Sequence, residues 1–429
     1  MRGGTGMTEL ERKVLSCADE HREELFALLL KLLGFDSQNF VDHGNERPCA
    51  EYIEGLYREA GLETERYAPD SVPGIREHPG YLPGRGTDES RPNVSGVLRG
   101  TGEGRVTLAA HIDTMPVGDP AKWTVNPFGE RKGERIYGLG ACDNKFGIAN
   151  SFFALETLRA CGVKLKKDVV LTSYVDEEYG GGNGSLAACL KYPSEVFVNT
   201  DGGNFEIWNA ALGGGGMGIT VETNFITDTV TPVLDALYLI RKELEPFAKR
   251  RREELHKNPL YTGSDMERSA FRITEFGVGS KGTNLDSGRL LCSIYTDKSR
   301  ETIIKELAEV VERVTPYLEA NHLRTGGFVY TTRYFDYAET EDEGGAMAAM
   351  HRAAEEVRGE PVKVCGSCLT DLSIYLPYGA KTSFNFGIIR DFALYGGAHQ
   401  PDEFVECKDL LDHAKALLLF LMRYCGIAE

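Results

Sequence analysis

Between residues 93 and 201, short apolar runs alternate with stretches of helical periodicity. NVSGVLRG and RVTLAAHID read as strands, NKFGIANSFFALETLRACG as a helix, DVVLTSYVDEE as a strand, the segment around SLAACLKY as a helix and EVFVNTD as a strand. Strands joined through helices pair in parallel, because a helical crossover returns the chain to the same edge of the sheet. The expected architecture is therefore α/β, a doubly wound and mostly parallel sheet. In such sheets the functional groups gather beyond the carboxyl ends of the strands, where His111, Glu177, Glu178 and Asp201 all fall.

A chain of 429 residues is long for a single core, and its pattern changes once along its length. GGGG at 213–216 reads as a hinge. After it come a strand MGITVETN, a long charged helix TPVLDALYLIRKELEPFAKRRREELHK, strands near FRITEFG and GRLLCSIYT, a helix SRETIIKELAEVVERVTPYLEANH and a strand GFVYTTRYFDY. That β-α-β-β-α-β order is the ferredoxin-like arrangement. From about residue 339 the earlier alternation resumes. The expected division is a catalytic domain in two parts, 1–213 and 339–429, with an α+β domain, 214–338, inserted between them.

The formal charge is −17, from 65 acidic against 48 basic residues, which argues against nucleic acid or an anionic membrane as partner. MRGGTGMTELERK lacks the apolar core of a signal peptide, and no stretch reaches the length of a membrane span. A cytoplasmic location is expected, with the ten scattered cysteines as reduced thiols.

AAHIDTMPVG, at 109–118, places His111 and Asp113 two apart, so both side chains point to one face of a strand. Further on, GLGACDNKFG puts Asp143 at a turn into a helix, and VDEEYGGGNGS puts Glu177 and Glu178 at a strand end. VNTDGG puts Asp201 at another strand end, and GGAHQPDEF puts His399 in a glycine-rich loop. Each alone is ordinary turn chemistry. Together they supply two imidazoles and three carboxylates at the strand ends of one sheet, which is the ligand set of a paired zinc site. One of the two adjacent acids must stay off the metals to move protons.

These segments, in this order over most of the chain, resemble the di-zinc hydrolases that include acetylornithine deacetylase, succinyl-diaminopimelate desuccinylase, aminoacylase, carboxypeptidase G and peptidase T. The resemblance rests on AHIDTMP, WTVNPF, YGLGACDNK, Glu177 with Glu178, Asp201 with Gly202, and AHQPDE. It implies that His111 and Asp201 hold one zinc, Glu178 and His399 the other, and that Asp143 bridges; Co2+ or Mn2+ are the expected substitutes. It implies that Asp113 orients the His111 ring, that Glu177 is general base and then acid, and that the Asp143–Asn144 peptide is cis. Asp at position 201 points to the deacetylase, aminoacylase and di- or tripeptidase branches. The implied activity is hydrolysis of the amide bond of small N-acyl amino acids or short peptides, by a homodimer formed through the inserted lid domain.

The lid departs from the family pattern. Relatives carry a histidine near the first lid helix, whereas this chain reads TNFITDTVTP, with Ile226 to Asp228 at that place. An ionised Asp228 cannot stabilise an oxyanion, and it would favour a cationic group on the substrate. Asn284 matches the lid asparagine expected to meet a substrate carboxylate. The missing histidine keeps open the alternative of a metal-bound homologue acting as a binding protein, although such a protein has no need of a proton carrier at Glu177. A phosphate-binding reading of GGGG and YGGGNGS fails, since neither has the spacing or lysine of a P-loop.

Overall fold

The computed structural model describes residues 6–223, 231–279 and 287–428. Asp228 and Asn284 lie outside the described residues. The chain forms two compact units: Met1–Asn209, Glu339–Cys365 and Ile374–Glu429 make one, and Ala210–Ala338 with Gly366–Ser373 make the other.

In the first unit the strand Arg105–His111 lies between Asp168–Tyr174 and Val196–Asn199, parallel to both, and Thr382–Phe386 extends the sheet in parallel beyond Val196–Asn199. Asn93–Leu98 and Glu63–Tyr67 complete the opposite edge in antiparallel fashion, and Ile207–Ala211 pairs antiparallel with Thr382–Phe386. The mostly parallel α/β sheet expected from the alternation is the one observed.

Both faces of this sheet are covered, so its central strands are apolar at successive positions. Val106, Leu108 and Ala110 pack with Val169, Leu171, Val196 and Val198 under the helices Lys145–Ala160 and Cys407–Phe420. Ala109, Tyr174 and Phe197 point the other way, onto Cys189 and Tyr375. Lys145–Ala160 enters the sheet closely. A Cβ at Gly147 would stand 1.8 Å from the Thr200 hydroxyl, which itself donates to Asn144 Oδ1 at 2.9 Å.

The second unit is an antiparallel four-stranded sheet. Its spatial order is Phe271–Gly279, Ser287–Thr296, Gly213–Thr223, Leu323–Tyr330, with the helices Thr231–Lys257 and Arg300–Ala320 as crossovers. This is the ferredoxin-like arrangement. Met217, Ile219 and Val221 alternate toward Val233, Leu237, Ile240 and Leu244 on one helix and Ile303, Leu307 and Val310 on the other. One expectation is corrected here. GGGG is not a hinge but the first part of the strand Gly213–Thr223, paired with Ser293–Thr296. Side chains have no room there: a Cβ at Gly214, whose φ is +116°, would lie 1.9 Å from the Ile294 carbonyl oxygen, and one at Gly215 2.4 Å from that of Arg333.

His413 ties Cys407–Phe420 to the strand that ends at Phe386. Its Nδ1 accepts from Asn150 Nδ2 at 2.8 Å, and its Nε2–H donates to the Phe386 carbonyl at 3.0 Å. Burial disfavours the charged imidazole and pulls its pKa down from 6.5 to about 4. The fold therefore holds His413 neutral while the unfolded chain takes up a proton near pH 6.5. Stability from this group is complete above that pH and is lost as pH falls toward 4. Between pH 7 and pH 5 the loss should be about 2 kcal/mol. In urea unfolding of the metal-free protein, His413→Gln should start less stable at pH 7 and decline less by pH 5. Parallel pH dependences would show that His413 is not the titrating group.

Candidate metal centre

Register places the site. Ala109 pairs with Asn199 and His111 with Tyr174, so the three parallel strands end side by side. Continuing the pairing two residues past Asn199 brings Asp201 level with His111. The turn after Tyr174 carries Glu177 and Glu178 over the same edge. Asp143 arrives from the turn that opens Lys145–Ala160, through a cis Asp143–Asn144 peptide, and His399 from a loop where its own φ is +61°.

All five side chains named as metal ligands come together here. His111, Asp143 and Asp201 form one group whose ligand atoms lie within 4.8 Å of one another; Asp143, Glu178 and His399 form a second, with Asp143 common to both. His111 Nε2 is 3.0 Å from Asp143 Oδ1, and His399 Nε2 is 3.1 Å from both Asp143 Oδ2 and Glu178 Oε2. The two oxygens of Asp143 thus face different imidazoles, as a bridging carboxylate requires. Nitrogen and oxygen donors converging in two overlapping groups fit a pair of ions of zinc-like preference.

The cluster's charge points the same way. Burial opposes charge on His399, yet the Glu178 and Asp143 carboxylates outweigh it and push its pKa up to about 12. Burial likewise opposes a charged His111, and Asp143 reverses this, raising its pKa well above 6.5. Burial also works against the Asp143 carboxylate, but hydrogen bonds from His111 and His399 hold it far below the usual range. Burial pushes Glu178 up. The buried carboxylates thus draw positive charge to the centre of the site, and a metal ion must displace the protons that otherwise supply it.

Asp113 meets the His111 ring through its backbone and not through its carboxylate. The His111 Nδ1–H donates to the Asp113 backbone carbonyl at 2.8 Å, while the nearest carboxylate oxygen is 3.8 Å away. The carbonyl fixes the tautomer and leaves Nε2 with its lone pair toward the site. The Asp113 carboxylate is occupied elsewhere. Its Oδ2 accepts from Asn39 Nδ2 at 2.8 Å and from the backbone N–H groups of Glu177 and Glu178, each at 3.1 Å. One residue therefore orients a ligand through its backbone and the acid turn through its side chain.

Glu178 is buried, with Oε1 accepting from the Met115 N–H at 3.1 Å and Oε2 left toward His399. Glu177 is half-buried and close enough to His111 to favour its charged form. Glu403 had no assigned role in the sequence, although it closes the AHQPDE segment. Its Oε1 accepts from the Cys142 and Asp143 N–H groups at 2.8 and 3.2 Å, so it holds the backbone of Asp143. Burial pushes its pKa up to about 8. Arg85, which contacts the acid turn, and Asn39, which contacts the Asp113 carboxylate, gave no signal in their loops.

Residues 107–423 match the model of peptidase family M20/M25/M40. The chain belongs to this family. It is 24% identical over an alignment of 456 positions to N-formyl-4-amino-5-aminomethyl-2-methylpyrimidine deformylase of Halalkalibacterium halodurans, spanning 97% of this chain and 98% of that one. Among solved structures it resembles the dipeptidase Dug1p of Saccharomyces cerevisiae, at 13% identity with a TM-score of 0.72, covering 98% and 99% of the two chains. It also resembles the YXEP protein of Bacillus subtilis, described as a dinuclear metal-binding peptidase, at 14% identity with a TM-score of 0.59 and 94% and 98% coverage. The chain is thus an M20-family metallohydrolase with two candidate ligand groups. Among the described residues, no helix is long and apolar enough to cross a membrane.

Two predictions follow from the shared carboxylate and its protons. Asp143→Ala removes a donor from both groups and should abolish binding of both ions, whereas His399→Ala should leave one ion bound; metal analysis after dialysis distinguishes them, and two retained ions in Asp143→Ala would refute the shared role. Metal binding to the stripped protein at pH 7 should release protons from the imidazoles, seen in calorimetry as an enthalpy that depends on buffer ionisation. Affinity should fall as pH falls, because protons compete for the same nitrogens. A buffer-independent enthalpy would contradict this.

Proposed function

We propose that this chain is a metal-dependent amide hydrolase of small N-acylated amines and amino acids or of short peptides, loaded with two Zn2+, for which Co2+ or Mn2+ can substitute. His111 and Asp201 would hold one ion, Glu178 and His399 the other, with Asp143 between them. When bound, the pair supplies a Lewis acid for the carbonyl and a water acidic enough to attack it at neutral pH. The observation that carries the reading is the division between the adjacent acids: Glu178 is turned into the ligand groups, and Glu177, outside both, stays accessible beside them.

Glu177 would take a proton from the attacking water at its carboxylate and pass it to the amine nitrogen as the C–N bond breaks. Asp113 supports that exchange by fixing the backbone of both acids. A protein that only bound its ligand would have no use for such a carrier. The deformylase similarity spans nearly the whole chain, so N-formylated aminomethyl heterocycles belong in a substrate panel beside N-acetyl amino acids and dipeptides. Asn284 is proposed to meet a substrate carboxylate, and Asp228 to favour a cationic group.

A homodimer through the inserted unit is supported by apolar side chains left exposed on its two helices, Leu234, Tyr238 and Ile304. A cytoplasmic location is supported by ten cysteines that are all free thiols.

On whichever substrate the panel identifies, Glu177→Gln should keep two bound metals and an unchanged melting temperature while kcat falls by several orders of magnitude. Glu178→Gln should instead weaken metal binding. Near-normal turnover in metal-loaded Glu177→Gln would sink the assignment, and metal loss in that variant would mean the two acids have exchanged roles.

A further inference from the structure

The turn carrying the adjacent acids is held in an uncommon backbone conformation. Asp176 and Tyr179, neither of them glycine, have φ of +68° and +59°. Such residues persist where their surroundings over-determine them. The turn closes on itself through hydrogen bonds from the Gly182 N–H to the Asp176 carbonyl at 2.5 Å and from the Gly181 N–H to the Glu177 carbonyl at 3.1 Å.

Two buried charged groups grip it from outside. Asp113 accepts the N–H groups of Glu177 and Glu178, as described above. Arg85, from the proline- and glycine-rich loop between the strands Glu63–Tyr67 and Asn93–Leu98, uses the fork of its guanidinium: Nε donates to Asp176 Oδ1 at 2.7 Å and Nη2 donates to the Glu178 carbonyl oxygen at 2.8 Å. Arg85 is 4% exposed and Asp176 fully buried. The second Asp176 oxygen accepts from the Asn183 N–H at 3.2 Å.

Arg85 is itself anchored. Its carbonyl accepts from Arg91 Nη1 at 2.6 Å, and Arg91 is tied to Glu46 Oε1 through Nε at 2.9 Å and Nη2 at 2.7 Å, with both of those side chains fully buried. Arg91 Nη1 also lies 3.9 Å from Asp176 Oδ1.

A buried ion pair adds little stability over a well-packed apolar contact, so stability alone is a poor account of this one. A planar fork adds direction. With the N–H of residue 178 held by Asp113 and its carbonyl by Arg85, both peptide planes flanking Glu178 are fixed, and so is the direction of its side chain. The preceding residue is constrained through the same chain.

We infer that Arg85 is a positioning residue for the paired acids. It keeps the Glu178 carboxylate with His399 and Asp143 while Glu177 stays outside the ligand groups. This rests on the reading of Glu177 as the proton carrier.

The test uses the metal-loaded full chain. Arg85→Met combined with Asp176→Asn removes both charges together, so no buried carboxylate is left without its partner. It should keep two metals and a KM within about threefold of the original, but lose about a hundredfold in kcat, the scale expected when a reacting group is displaced by about an ångström. The visible spectrum of the Co2+-substituted protein should change, because Glu178 meets the ion at a different angle. Arg85→Lys, which keeps the charge but not the fork, should fall between the two.

A folded double variant with the original kcat and cobalt spectrum overturns the proposal. So does a variant that loses thermal stability while each metal-loaded molecule turns over normally, since that is a merely structural role. If the double variant does not fold, Arg85→Lys decides: at least a tenfold loss in kcat with a changed spectrum supports positioning, and the original values refute it. Glu177→Gln run in parallel separates the two readings. Turnover surviving in Glu177→Gln sinks the proton carrier, whereas normal Arg85 variants beside an inactive Glu177→Gln sink only the role of Arg85.

Discussion

Three carboxylates cannot share a buried space unless positive charge is placed between them. Asp143, Glu178 and Asp201 are all buried; the imidazoles of His111 and His399 stand at about hydrogen-bond distance from Asp143 and Glu178, and Asp201 lies within 4.8 Å of His111 and Asp143. In a medium of low effective dielectric, the repulsion among such acids would disrupt the site or protonate them. Asp143 is where the compensation concentrates, with one oxygen toward each imidazole. The same arrangement makes the site a receptor for cations, because whatever replaces the imidazole protons must itself be positive.

The sheet makes this charge concentration affordable by spreading its support over the backbone. Asp113 takes up two amide N–H groups of the acid turn, Glu403 takes up those of Cys142 and Asp143, and the Met115 N–H meets Glu178. In each case a carboxylate accepts from main-chain donors that secondary structure leaves unused, a stronger bond than one between neutral partners. A second layer of buried ions, Arg85 with Asp176 and Arg91 with Glu46, stands behind the first. The site is therefore organised in shells, and the outer one decides where the inner side chains point.

The two units answer different demands. The mostly parallel sheet is apolar on both faces because helices and loops cover both, which leaves its carboxyl edge as the place for polar function. The ferredoxin-like unit has one core between its sheet and two helices, and its polyglycine strand runs through a space where a side chain at Gly213, Gly214 or Gly215 would meet backbone and one at Gly216 the Thr331 hydroxyl. Glycine there serves close packing, which is why reading it as flexible misplaced a hinge inside a strand.

Much of this was legible in the sequence, because strand and helix periodicities differ and acids or histidines at strand ends stand out against apolar runs. His111, Glu178 and Asp201 sit at or just past such ends, Asp143 just before a helix and His399 in a glycine-rich loop, and the family's segments recur around them in order. What the sequence could not show was which atom of a residue acts. Asp113 orients His111 through its carbonyl and the acid turn through its carboxylate, a choice set by where the strand bends and not by the residue's identity. Arg85 and Asn39 were likewise silent, since a loop residue acquires a role only when folding brings distant chain against it, the acid turn about ninety residues away for Arg85 and Asp113, 74 residues away, for Asn39. The sequence alone determined the elements and the donor set, through local periodicity and residue chemistry. Only the tertiary structure decided the pairing of donors and the support behind them, because both depend on directions that long-range packing imposes.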